Sequence, residues 1–105
     1  MDRTDARTAA QAELDRMSSA EHPLQLIDEQ YVADVGWAWV YDWNTARYYE
    51  TDDIADAIGP GAGPIVVVKG SGETFALGST PSYDEQLADY AKTHDHGETA
   101  PLGWG

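Results

Sequence analysis

At 105 residues and 42% hydrophobic, the chain is sized for one domain with a real core, which excludes wholesale disorder. Nineteen acidic residues against six basic ones give a formal charge of −13, a surface that repels nucleic-acid phosphates and anionic lipid and attracts basic partners. The absence of cysteine excludes disulfides, thiol nucleophiles and thiolate metal sites.

The first residues carry charges with no apolar run behind them, so no secretory leader is read there. No stretch approaches the length of apolar residues that spans a bilayer, and a cytoplasmic protein with no membrane contact is expected. Residues 4–18 read as a helix, with Ala6, Ala10, Leu14 and Met17 on one face and Asp2 and Asp5 at its positive end. An alanine-rich face buries little area and therefore lies close against a sheet.

Residues 24–35 read as a strand with a bulge, because Leu26 and Ile27 are adjacent and Asp28-Glu29-Gln30 interrupts the apolar members. Asp34-Val35-Gly36 then turns the chain into the most aromatic stretch of the sequence. There Trp37, Trp39, Tyr41 and Trp43 recur at a spacing of two, which on a strand forms a single row. Such a row can stack nucleic-acid bases, but that design needs a basic groove, which a chain of this charge does not offer. Trp37, Trp39 and Tyr41 are accordingly assigned to the core. Trp43, between Asp42 and Asn44 at the strand end, is the aromatic expected at the surface.

Thr51 reads as an N-cap with Asp52 and Asp53 in the first turn of a short helix that ends at Gly59-Pro60. Residues 64–68, Pro-Ile-Val-Val-Val, are a continuous β-branched run that asks for cover on both faces. A glycine turn over 69–73 leads into a strand at 74–77. Ser82 with Glu85 three residues on is a capping box, opening a helix faced by Tyr83, Leu87, Tyr90 and Ala91. The expected fold is α+β: an N-terminal helix, an antiparallel sheet of about four strands, a short middle helix and a C-terminal helix packed on the sheet. Residues 1–92 form the single domain, and 93–105 a polar, glycine-rich tail.

Catalytic and metal chemistry find little support. No serine sits in a nucleophile elbow, and Ser82 is explained as a cap. His94-Asp95-His96 has two imidazoles but no partner ligands at a recognised spacing, so a solvated tail is the simpler reading. Asp52, Asp53 and Asp56 lack the turn glycine and terminal glutamate of a calcium loop. The glycines at 59–63 follow a helix and open a strand, the reverse of a phosphate loop. No cofactor and no metal are expected.

The run Gly36-Trp37-Ala38-Trp39-Val40-Tyr41, Tyr48 and Tyr49 ahead of Thr51, Gly63-Pro64-Ile65-Val66-Val67, the 69–73 turn, Gly78-Ser79-Thr80-Pro81 and Tyr90 together resemble the YrhB-like or immunity protein 35 family. The resemblance covers residues 24–92, and the N-terminal helix fits it. It implies a small bacterial α+β domain, encoded beside a secreted toxin, that neutralises the toxin by binding and carries no catalytic motif. The acidic charge then implies a basic toxin as partner. Asp42, Trp43, Asn44, Asp52, Asp53 and Asp56 are the expected partner-binding residues, a polar rim around an exposed aromatic. The competing reading is a chaperone-like or accessory protein-binding module, which requires an exposed apolar patch or sheet edge.

Overall fold

A computed structural model describes residues 2–18, 23–52, 63–78 and 81–102 of the chain. Helix α1 spans Arg3–Met17, capped by Asp2, whose carboxylate accepts the Asp5 N–H at 2.8 Å. Strands β1 (Leu24–Leu26) and β2 (Ala33–Asp34) form one arm of a long hairpin, and β3 (Ala38–Tyr41) and β4 (Trp43–Thr45) form the other. Helix α2 is Ala46–Thr51, β5 is Ile65–Val68, β6 is Thr74–Ala76 and α3 is Tyr83–Thr93. β2-β3-β5-β6 make a four-stranded antiparallel sheet, and β1-β4 extend it as a separate pair. This is the α+β architecture expected.

Two cores lie on opposite faces of the sheet. On one, Ala6, Ala10 and Leu14 of α1 pack on Leu26, Trp39, Tyr41, Trp43, Ile65 and Val67. On the other, Leu87 and Ala91 of α3 pack on Val35, Trp37, Val40, Val66, Val68 and Leu77. β5 lies between β3 and β6 with every residue buried, the two-sided cover its β-branched run demanded. The small side chains of α1 let its axis approach the sheet closely enough to bury the large rings beneath. Ser82 caps α3 as expected, its hydroxyl accepting the Glu85 N–H at 3.3 Å.

Two local expectations are corrected. The aromatic row splits, because Trp37 packs with the α3 core while Trp39, Tyr41 and Trp43 face α1. Trp37 precedes β3 in a bend, and Gly36 has φ +103°, a left-handed conformation that breaks the alternation before the strand begins. The middle helix starts six residues earlier than expected. Thr45 is its N-cap, with Oγ1 accepting the Tyr48 N–H at 3.0 Å, and Thr51 is its last residue. Asp52 follows as the left-handed C-cap at φ 59° and ends the helix, so it is no first-turn acid. The expected continuation over 53–59 lies outside the described residues.

The segment after α3 turns back over the Gly36–Trp37 bend. Trp37 Nε1 donates to Thr99 Oγ1 at 3.0 Å, and the Ala100 N–H donates to the Val35 carbonyl at 3.0 Å. His96 stacks on Trp37 with ring centroids 4.8 Å apart, so its imidazole is not simply solvated.

Tyr41 is the largest fully buried side chain, yet among the described residues nothing bonds its hydroxyl. Burial pushes its pKa from 10.0 up to about 12, with Glu29 adding to the rise and Arg7 and Arg3 opposing it. Burying a hydroxyl without a partner costs about 1–3 kcal/mol. Tyr41→Phe is therefore expected to leave stability unchanged or raise it by about 1 kcal/mol, read as the urea midpoint. The linkage has a definite sign. A tyrosine held neutral in the fold contributes stability fully present below pH 10 and lost as pH rises from 10 toward 12. The Phe variant should lose less stability than wild type across that window.

Candidate functional site

The most distinctive surface grows from an inequality in the long hairpin. Leu26 pairs with Trp43 and Ala33 with Val40, so the first arm covers seven residue steps where the second covers three. The excess is folded into a 3-10 turn, Glu29–Tyr31, which is the physical form of the expected bulge. Asp28 caps this turn, its Oδ1 accepting the Gln30 N–H at 3.3 Å while its carbonyl accepts the Tyr31 N–H at 2.9 Å.

Helix α1 pins the protrusion in place. Arg3 Nε lies 3.1 Å from Glu29 Oε1, and Arg7 Nη1 lies 2.9 Å from Glu29 Oε2. The same arginines donate to the Glu29 carbonyl at 3.2 Å and the Ile27 carbonyl at 3.1 Å. The ion pairs alone are exposed enough to contribute little. Combined with the backbone bonds, they fix one geometry. Tyr31 rides on this turn and is 60% exposed, the most exposed large hydrophobic among the described residues.

Beside it lies an open groove of about 610 Å³, lined by Arg7, Gln25, Ile27, Asp28, Tyr31 and Tyr49 among others. Tyr49 comes from α2, and burial pushes its pKa up to about 12, with the nearby Asp42 charge adding to the rise. Burial likewise pushes the Asp42 carboxyl up, and the Trp43 N–H, donating to Oδ1 at 2.9 Å, partly offsets it. Asp42 is exposed to solvent, and among the described residues no cation pairs with it. A larger concavity of about 740 Å³ runs along α1 past Arg3, Arg7, Gln11 and Asp15. Its polar groups are occupied with one another, the arginines by Glu29 and Gln11 by Asp15 at 2.9 Å, so it offers fewer free contacts.

The residues expected at the interface separate. Asp42 adjoins Tyr49 as described, and Asn44 stands opposite Gln25 on the β1-β4 pair, with Oδ1 accepting the Thr45 N–H at 2.8 Å. Asp52 is exposed at the end of α2. Trp43 does not reach the surface: it is 8% exposed, packed under α1, and its Nε1 donates to the Gly63 carbonyl at 2.8 Å. The correction has a plain cause, because Tyr41 and Trp43 keep strand alternation across Asp42 and both face the helix. Asp53 and Asp56 lie outside the described residues. Tyr31, Asp28 and Tyr49 were not singled out from the sequence. The signal for the first two was available as an Asp followed by a polar pair inside an otherwise apolar strand, a turn-former where a ladder should run.

Among the described residues, no three His, Asp or Glu side chains converge as a metal set, and no helix is long and apolar enough to cross a membrane. Ion pairs among the described residues join Arg3 and Arg7 to Glu29, Arg16 to Glu13 and Lys69 to Asp34. Nineteen acidic residues against six basic ones leave most carboxylates without a cation of the chain's own to pair with.

No curated protein and no solved structure matches the chain. A family profile does, described as Immunity protein 35, and it covers residues 4–92, from the first turn of α1 to the last turn of α3. Both cores and the hairpin with its 3-10 turn fall inside that span, and the chain belongs to the Immunity protein 35 family.

Proposed function

We propose that this protein is a non-enzymatic immunity protein that neutralises a cognate bacterial toxin in the cytoplasm by binding it directly. Its membership of the Immunity protein 35 family over residues 4–92 carries this reading. The acidic net charge supports a basic toxin, since complementary fields speed encounter and penalise wrong partners. The chaperone-like alternative has less behind it. Among the described residues only Met17 and Tyr31 are exposed large hydrophobics, too little for capture of unfolded clients.

The test is co-expression with the C-terminal toxin domain encoded by the neighbouring open reading frame. Growth should be restored, and the two proteins should co-elute as a stable complex. The association rate should fall by about tenfold or more as salt rises from low ionic strength to 0.5 M. Failure to rescue growth and to form a complex would overturn the function. A rate indifferent to salt would remove the electrostatic part alone.

A further inference from the structure

The geometry points to the groove between Tyr31 and Tyr49 as the toxin-docking surface, receiving a lysine- or arginine-bearing loop of the toxin against Asp28 and Asp42. This assignment rests on the function proposed above and deepens it. Tyr31 is displayed at 60% exposure on a turn that α1 holds by two ion pairs and two backbone bonds, so its display costs little ordering on binding. A rigid exposed tyrosine beside a groove is the usual form of an interface anchor.

The groove also suits a cation. Among the described residues, Asp28 Oδ1 in its lining is engaged only by a backbone N–H at 3.3 Å, and Asp42, beside the lining residue Tyr49, has no cation. The tyrosine rings add π faces that attract lysine and arginine, most strongly once water is displaced. Arg7, also in the lining, does not cancel this, because its guanidinium is already divided between Glu29 and the Ile27 carbonyl. The Asp42 charge acts on Tyr49, so a cation received there meets a carboxylate and an aromatic ring together. The protein's net charge opposes a second copy of itself here, which leaves a basic partner as the occupant.

The experiment separates local contact from the overall field. Binding of the catalytically inactivated toxin domain is measured for wild type, Tyr31→Ala, the pair Asp28→Asn with Asp42→Asn, and the control pair Glu85→Gln with Asp89→Asn on α3. Asparagine keeps the oxygens that cap the 3-10 turn and accept the Trp43 N–H, so folding is preserved and is checked by thermal melting. Tyr31→Ala should weaken binding by about 30-fold or more, and the Asp28/Asp42 pair by about tenfold. The α3 pair removes the same net charge and should change the dissociation constant by less than about threefold. Tight wild-type binding that Tyr31→Ala leaves within about threefold overturns the docking assignment, as does an α3 pair that loses as much as the Asp28/Asp42 pair. Wild-type protein that does not bind the toxin overturns the proposed function itself and the assignment with it.

Discussion

Trp43→Ala is expected to remove about 3–5 kcal/mol of stability, the cost of emptying a large aromatic site in a packed core. For a domain of this size, each kcal/mol lowers the melting temperature by about 4–8 °C, so the transition should fall by at least about 12 °C. Two losses combine. The indole fills the space between α1 and the β1-β4 pair, against Leu26 and the helix's alanines. Its Nε1–H also holds the Gly63 carbonyl at 2.8 Å, in a bond buried from water. Trp43→Phe separates the two, because it keeps most of the volume and deletes only the donor. That variant should cost about 1–3 kcal/mol, the penalty of leaving a buried carbonyl unpaired. An alanine variant within 1 kcal/mol of wild type in urea unfolding would show that the ring is a surface group after all.

The contrast between Trp43 and Tyr31 shows where the sequence is legible. Elements whose signal is periodic or local were readable: the alanine face of α1, the β-branched run of β5, and Ser82 ahead of α3. Each is specified within about a dozen neighbouring residues. Gly36 is different, since a single positive φ reverses which face the next side chain takes and sends Trp37 to the opposite core. Alternation over Trp37–Trp43 cannot reveal that. Thr51 reads locally as a cap, but the cap in the fold is Thr45, another threonine six residues earlier. Thr45 wins because it ends β4, where the ladder to Leu24 stops and the chain is free to turn. Tyr31 falls inside the 24–35 stretch that reads as a strand, yet it sits exposed on the hairpin's surplus. Only the register of the two arms exposes that surplus, and register is a tertiary fact. Trp43 depends on a carbonyl twenty residues away, which no local pattern contains.

That carbonyl belongs to Gly63, whose replacement by alanine is the other large effect expected. Gly63 is needed for space and not for a left-handed backbone. It lies just ahead of β5, where the Leu77 N–H donates to the Pro64 carbonyl at 2.9 Å and draws the two chains together. A Cβ on Gly63 would sit 2.6 Å from the Leu77 carbonyl carbon and closer still to its oxygen. Both sides of this clash are backbone, so no rotamer relieves it. Either β6 shifts and the Leu77–Pro64 bond opens, or Gly63 tilts and its carbonyl leaves Trp43. Gly63→Ala should therefore cost about 3 kcal/mol, the upper end for overpacking. A double-mutant cycle distinguishes the two responses. If Gly63 tilts, the Trp43 bond is already lost in Gly63→Ala, and adding Trp43→Phe should cost about 1 kcal/mol less than it does alone. If β6 shifts instead, the two penalties add. A Gly63→Ala protein as stable as wild type would contradict the close approach of Gly63 and Leu77, and with it the placement of the carbonyl that holds Trp43 in the core.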